Sequence, residues 1–147
     1  MKIVHGTLVM AADGRKMLLF RNDGDEKYAI LDTLDHEEEQ APPTHLLGSD
    51  APGRTQSSLG NRRSAYGDTD WHEQAEERFA IESARRLEEA ALREGGPIVV
   101  LAPPRTLGIL RQHWGRETRV RLIAEIGKDV VHRGWEVIAR TIGDYQE

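Results

Sequence analysis

Three arginines stand close together in a stretch of this acidic protein that contains no acidic residue. Ala51 to Gly67 carries Arg54, Arg62 and Arg63, whereas the whole chain of 147 residues has 20 Lys+Arg against 25 Asp+Glu and a formal net charge of −5. A guanidinium group presents a planar fork of donors that suits phosphate, and small residues let a backbone approach a ligand closely. This arginine stretch, Ala51–Gly67, predicts a phosphate- or RNA-binding site. Its remaining candidate contact residues are Gly53, Gln56 and Ser57.

The arginine stretch lies in a longer segment without the periodicity of a helix or a strand. Prolines, glycines and serines punctuate the chain from His36 to Asp70, and we predict a loop over about residues 37–70 with a mobile centre at 50–68. Compact domains seldom carry so long a loop unless it is functional or disordered. Two interpretations stay open: a loop that binds RNA, or a solvated loop whose arginines only aid solubility.

Other kinds of chemical site are not favoured by the residue pattern. The six histidines have no spacing that would direct two imidazoles at one metal, although His45 and His72 flank the predicted loop. A nuclease could hold Mg²⁺ on carboxylates such as Asp13, Asp32 and Asp129, but turn chemistry already explains Asp13. We therefore predict no metal site.

Nucleophilic and cofactor-dependent chemistry is equally unsupported. The chain has no cysteine, which excludes a disulfide framework, a thiolate nucleophile and a cysteine-ligated zinc ion. It also lacks the nucleophile-elbow, P-loop and dinucleotide-binding glycine motifs. The sequence predicts no cofactor and establishes no catalytic activity.

The distribution of apolar residues predicts a cytoplasmic protein without a membrane segment. The first residues contain no signal-peptide core, and no apolar run approaches the ~20 residues that a membrane-spanning helix needs. The chain length suits one domain, which we predict to extend over residues 1–147.

Three strands joined by short turns are predicted at the start of the chain. They cover residues 3–12, 16–21 and 28–34, with Asp13-Gly14 between the first two as a hairpin turn of positive φ. Such a series forms an antiparallel meander. A helix with its apolar positions at helical spacing follows over Trp71–Glu94 and ends at Gly95-Gly96.

The rest of the chain alternates strand and helix. Residues 97–102 predict a central strand covered on both faces, 103–115 a helix, 120–126 a strand and 128–142 a final helix. A meander followed by a β-α-β-α series predicts an α/β fold with a mixed sheet covered by helices. We expect the three tryptophans to pack in the core, and Glu82/Arg86 and Arg85/Glu89 to form exposed i,i+4 ion pairs.

Four segments together resemble the bacterial family called host attachment protein, or protein required for attachment to host cells. They are VMAADGRKMLLF, SDAPGRTQSS, ERFAIESARRLEEA and VVLAPPRTLGILR, and the resemblance extends over nearly the whole chain. That family is similar to the middle domain of class-1 eukaryotic and archaeal translation release factors, which implies a ribonuclease-H-like α/β fold.

The resemblance also implies a role for the loop that precedes the first long helix. In the release factors this loop carries Gly-Gly-Gln and reaches the peptidyl-transferase centre of the ribosome. The present chain has Gly53-Arg54-Thr55-Gln56 instead, so the resemblance implies docking onto RNA, including ribosomal RNA, rather than peptidyl-tRNA hydrolysis.

We therefore predict a non-catalytic RNA- or ribosome-associated binding protein. One alternative is a protein-interaction module that acts in host-cell attachment and orders its loop on a protein partner. A second alternative is a hydrolase of peptidyl-tRNA or RNA that uses Gln56 or a carboxylate.

Overall fold

A five-stranded mixed sheet forms the centre of the protein. The computed structural model describes the backbone of residues 1–39 and 58–146, and the side chains of 1–39 and 71–146. The sheet has the order β3-β2-β1-β4-β5, and its strands are β1 (Leu8–Ala12), β2 (Lys16–Asn22), β3 (Leu31–Glu38), β4 (Ile98–Leu101) and β5 (Leu122–Ile126). Antiparallel pairing joins β1 to β2 and β2 to β3, whereas β1, β4 and β5 are parallel. The predicted α/β class, the meander and the central position of β4 are confirmed.

Helices cover both faces of this sheet. They are α1 (Ser58–Glu94), α2 (Pro104–Arg111), α3 (Arg116–Arg121) and α4 (Trp135–Asp144). One apolar cluster joins alternate residues of β1, β2 and β4 to α1, α2 and Trp114. A second cluster joins the opposite faces of the same strands to α4 and to Val130 and Val131. Two such clusters on opposite faces explain why all four residues of β4 are buried.

The first hairpin turn forms where Asp13-Gly14 predicts it, but Gly14 does not have the positive φ that was expected. The Asp13 side chain instead closes the turn, because its Oδ1 accepts hydrogen bonds from the amides of Arg15 (2.8 Å) and Lys16 (2.7 Å). Gly14 also lies close to the long helix. A Cβ there would lie 3.0 Å from the Glu76 side chain of α1.

Strand β3 is displaced along the chain from the predicted residues 28–34. Side-chain hydrogen bonds hold residues 23–30 in a turn: Asn22 Oδ1 accepts from the amides of Gly24 and Ile30, and Asp25 Oδ1 accepts from the amides of Lys27 and Tyr28. The strand then extends through acidic residues to Glu38, opposite Lys16. Arg86 of the long helix that follows pairs with two of its carboxylates, Asp35 and Glu37.

Helix α1 begins at Ser58 and not at Trp71, so the prediction of loop up to residue 70 is wrong for residues 58–70. Thr69 and Asp70, which have side chains suited to capping a helix that starts at Trp71, are consequently inside the helix. The predicted packing residues of this helix are buried apart from Trp71, and Gly95, with a φ of 73°, follows its last turn as predicted.

The C-terminal helices differ from the prediction where side-chain hydrogen bonds or glycines intervene. The short helix α3 occupies residues that were partly assigned to a strand, since a carboxylate from α1 binds its first amides. Helix α4 begins at Trp135 and not at Lys128, because Gly134 has a φ of 90°, which no helical residue adopts. Residues 127–134 instead form an irregular segment.

Candidate nucleic-acid interface

The arginine stretch spans the boundary of the described structure. Gly53, Arg54, Gln56 and Ser57 lie outside the described residues, as does His45. The backbone at Arg62 and Arg63 belongs to α1, and their side chains lie outside the described part. The contacts predicted for these six candidate residues therefore stay predictions.

Helix α1 packs on the sheet through the second half of its length. Its 37 residues give a length of about 55 Å. All four residues from Trp71 to Gln74 are exposed, and Ala75 is the first buried residue among the described side chains of the helix. The part of α1 from Ala75 onward is thus fixed on the sheet, and the four described residues just before it are exposed.

The point where α1 meets the end of the sheet is fixed by polar contacts. The Glu76 side chain covers Gly14 in the β1–β2 turn, and Glu76 Oε1 lies 3.2 Å from Arg105 Nη2 of α2. The Glu39 amide, just after β3, donates a 2.7 Å hydrogen bond to the Arg15 carbonyl of the same turn. Glu39 and Glu76 therefore both lie at the end of the sheet formed by the β1–β2 turn.

Trp71 does not pack in the core as predicted. Its side chain is 41% exposed, and its ring stands edge-on to the His72 ring at 5.2 Å. Trp114, in contrast, is buried and donates a 3.0 Å hydrogen bond to Glu125, and half-buried Trp135 packs on the second apolar cluster. The packing prediction is confirmed for these two tryptophans and wrong for Trp71, which precedes the packed part of α1.

Arg86 of α1 binds three carboxylates on one side of the sheet. Its guanidinium lies 3.1 Å from Asp35, 2.8 Å from Glu37 and 3.1 Å from Glu82. Hydrogen bonds from Arg85 and then Arg86 outweigh burial and lower the pKa of Glu82 to about 2. Both predicted i,i+4 pairs are confirmed, since Arg85 also lies 3.1 Å from Glu89. The arginines and carboxylates of this surface therefore neutralise one another.

A second arginine holds the other end of α1. Arg21 of β2 lies 3.0 Å from Glu94 and 2.7 Å from Asp23. Hydrogen bonds to Asp23 and Glu94 raise the pKa of Arg21, and the hydrogen bond from Arg21 lowers the pKa of Glu94. The orientation of the long helix is thus fixed near both ends of its packed part.

The three carboxylates considered for a nuclease are not brought together. Asp13 follows β1, and Asp129 lies exposed in the segment before α4. Asp32 lies at the opposite end of the sheet, where its backbone stands across from Arg21 in the β2–β3 strand pair. Asp13 Oδ2 is instead 3.1 Å from His132 Nε2. Within residues 1–39 and 71–146, no group of three His, Asp or Glu side chains could hold a metal ion.

Sequence reasoning missed the long-range ion pairs that hold the packed part of α1 on the sheet. The helical pairs around Glu82 follow from i,i+4 spacing, but the pairs of Arg86 with Asp35 and of Arg21 with Glu94 join residues far apart in the chain. No local pattern in the sequence indicates these pairs. The excess of acidic residues in β3 is the one signal that could have suggested a nearby cation.

A family model matches residues 6–142, which is nearly the whole chain, and it describes the bacterial archaeo-eukaryotic release factor family 12. The chain belongs to this family. The release-factor part of the resemblance is thereby confirmed, and the mixed sheet with a long helix α1 agrees with a release-factor-like α/β fold. No curated protein shows significant similarity to the chain.

No helix in the described part of the chain is both long enough and apolar enough to cross a membrane. Helix α1 is long, but it carries charged residues along its length.

Proposed function

We propose that this protein is a non-catalytic RNA- or ribosome-associated binding protein, and that the arginine stretch makes the contact. Arg54, Arg62 and Arg63 contact phosphates in this proposal. Gly53, Gln56 and Ser57 line the same contact surface. A ribosome-bound role would place the protein in the cytoplasm, which stays a prediction.

The observation that carries the proposal is the position of the arginine stretch just before the packed part of α1. The residues of α1 from Ala75 onward pack on the sheet, whereas Trp71–Gln74 are exposed and the helix extends back to Ser58. A cationic stretch at the beginning of a long, firmly anchored helix is suited to reach a macromolecular surface. The same stretch on a short surface loop would lie against the acidic body of the domain.

The difference in charge between the domain surface and the arginine stretch gives the proposal independent support. The side of the domain beside α1 holds Asp35, Glu37, Glu82 and Glu89 around two arginines, and such a surface repels phosphate. The arginine stretch has three cations and no acidic residue. Binding to RNA is therefore expected to be local, and strongly dependent on salt because phosphate contacts release counterions.

Membership of a release-factor family supports a role in translation, but the sequence of the stretch argues against hydrolysis. The tandem glycines of a Gly-Gly-Gln motif are replaced here by Gly53-Arg54-Thr55. Glycine accepts backbone conformations that arginine and threonine avoid, so the loop cannot bend in the same way beside a peptidyl ester. Docking without catalysis is the function that these residues fit.

The test is RNA and ribosome binding of a variant with Arg54, Arg62 and Arg63 replaced by alanine, measured over a range of salt concentrations. Each lost phosphate contact is expected to reduce the slope of log affinity against log salt by somewhat under one unit. A matched control replaces the exposed Arg116, Arg119 and Arg133, which changes the net charge equally. Equal binding and equal slopes for the wild-type protein and the first variant would contradict the proposal.

Trp71 offers a local reporter for the same experiment. Since its ring is exposed and lies in the same helix as Arg62 and Arg63, RNA bound to the arginine stretch is expected to change its fluorescence. The difference between the wild-type protein and Trp71→Phe isolates this signal from buried Trp114 and half-buried Trp135. A binding curve with no Trp71 contribution would place the RNA elsewhere.

The resemblance to host attachment proteins supplies the alternative of a protein-interaction module. An affinity purification from cells that recovers the same protein partner after nuclease treatment, and no RNA before it, would favour that alternative. Hydrolysis of peptidyl-tRNA that is lost in Gln56→Ala would instead favour an enzyme. Under the RNA-binding proposal, any effect of the protein on host attachment would be indirect.

A further inference from the structure

A cleft of about 430 Å³ opens at the end of the sheet opposite to the β1–β2 turn. Its walls come from the first residues of the chain, the turn before β3 and the last turn of α4. Ile3 and Ile142 contribute apolar surface and belong to the second core cluster, so this part of the cleft is firmly packed. The volume lies within the range of about 300–1,000 Å³ that is typical of small-molecule sites.

An exposed aromatic ring stands in this cleft. Tyr28 is 69% exposed, the largest exposed fraction among the aromatic residues of the described structure. The turn that carries it is not loose, because Asp25 Oδ1 accepts a 2.8 Å hydrogen bond from the Tyr28 amide and Asn22 anchors both sides of the turn. The turn therefore presents the Tyr28 ring to solvent from a backbone of defined geometry.

The charge of the cleft is positive. Lys2, Lys27 and Arg140 line it, and Glu26 is the one acidic residue among its lining residues. None of the three cations makes an ion pair with a described carboxylate. Lys27 Nζ instead lies 5.7 Å from the centre of the Tyr28 ring.

We propose that this cleft binds a nucleotide unit, with the base stacked on Tyr28 and the phosphate held by Lys2, Lys27 and Arg140. Sites for single-stranded nucleic acid combine an aromatic platform with cations that follow the backbone, and stacking accepts any base. The cleft holds both parts within one concave surface. The unit can be a free nucleotide or part of an RNA strand, since both offer the same base and phosphate.

This inference does not rest on the proposed function, because the cleft and the arginine stretch have no residue in common. If both are correct, the protein contacts RNA at two separate places. The variants that test one site leave the other intact, so the two proposals can fail separately.

The experiment measures binding of adenosine monophosphate and of a short single-stranded oligoadenylate to the full chain, by amide chemical shifts and by fluorescence anisotropy. Replacing Tyr28 by alanine is expected to weaken binding about tenfold, whereas Tyr28→Phe retains it, because stacking needs the ring and not the hydroxyl. Lys27→Gln with Arg140→Gln is expected to weaken binding and to reduce its salt dependence. All three positions are exposed, so the variants should fold.

The outcomes separate the sources of the ligand. Binding of both probes with shifts around Tyr28 supports a nucleotide site, and binding of the oligonucleotide alone supports an RNA contact. Unchanged affinity in Tyr28→Ala, or shifts confined to residues away from the cleft, would overturn the inference. The triple arginine variant of the arginine stretch should bind adenosine monophosphate as the wild-type protein does.

Discussion

The carboxylate of Glu88 in α1 binds Thr118 at the start of α3. Glu88 Oε1 accepts hydrogen bonds from the Thr118 amide at 2.9 Å and from its hydroxyl at 3.0 Å, and Oε2 accepts one from the Glu117 amide at 3.0 Å. Burial alone would raise the pKa of Glu88, but these hydrogen bonds outweigh it and the pKa lies below its usual value. The Glu88 side chain thus joins α1 to α3, the helix that directly precedes the edge strand β5.

Replacing Glu88 by alanine is expected to lower the free energy of unfolding by about 1.5–3 kcal/mol, since hydrogen bonds to a charged group are lost and Thr118 keeps its buried donors. Urea unfolding measures the change. The matched control is Glu89→Ala, whose side chain is 57% exposed and pairs only with exposed Arg85. An equal effect of the two variants would mean that α3 does not depend on Glu88.

Gly115→Ala should destabilise the protein through the same carboxylate. A Cβ at this position would lie 2.3 Å from Glu88 Cδ and Oε1, so the side chain must move and lose its hydrogen bonds. We expect the losses from Gly115→Ala and Glu88→Ala not to add in the double variant.

Gly108→Ala in α2 is the control for Gly115→Ala, because its Cβ would meet nothing within 4 Å. Alanine inside a helix is expected to raise the free energy of unfolding by about 0.5–1 kcal/mol. Additive losses in the double variant of Gly115 and Glu88 would show that the glycine is needed for another reason.

Acid should weaken the surface cluster around Glu82. Its folded-state pKa of about 2 lies below the usual 4.5, so its contribution to stability is present above pH 4.5 and is lost as the pH falls through the folded-state value. Because Glu82 is partly exposed, the contribution is expected to be less than about 1 kcal/mol. Melting temperatures between pH 5 and pH 2 should therefore fall less steeply in Glu82→Gln.

Glu38→Gln provides the comparison for the acid experiment. Glu38 lies exposed on β3 and makes no ion pair with a described residue, so this variant is expected to melt with the slope of the wild-type protein. Identical slopes for all three proteins would show that Arg85 and Arg86 contribute nothing to the acid response through Glu82.

Asp13 is expected to act in the turn and not in catalysis. Asp13→Asn keeps an oxygen that can accept from the amides of Arg15 and Lys16, whereas Asp13→Ala loses both hydrogen bonds and should cost about 1 kcal/mol of stability. Thermal unfolding compares the two variants. A carboxylate needed for RNA cleavage would give the opposite pattern, with activity lost in Asp13→Asn while the fold stays intact.

The amino-acid sequence alone determined the class of fold and most of its core. The alternation of apolar strands and turns predicts the meander, and the continuous apolar run of β4 predicts a strand covered on both faces. Apolar spacing likewise predicts the buried residues of α1 from Ala75 to Ala91. These features follow from local periodicity, because which residues are apolar decides which face is buried.

Tertiary structure decided the boundaries of the elements and the exposure of Trp71. Residues 58–70 look like a loop in sequence, since Gly60 and Gly67 interrupt them and no apolar periodicity is visible, yet they continue α1. Conversely, Lys128–Gly134 look helical, but Gly134 takes a φ that ends the helix. Contacts such as those of Arg86 with Asp35 and of Glu88 with Thr118 join residues distant in the chain, and local spacing cannot encode which distant partner a charge will meet.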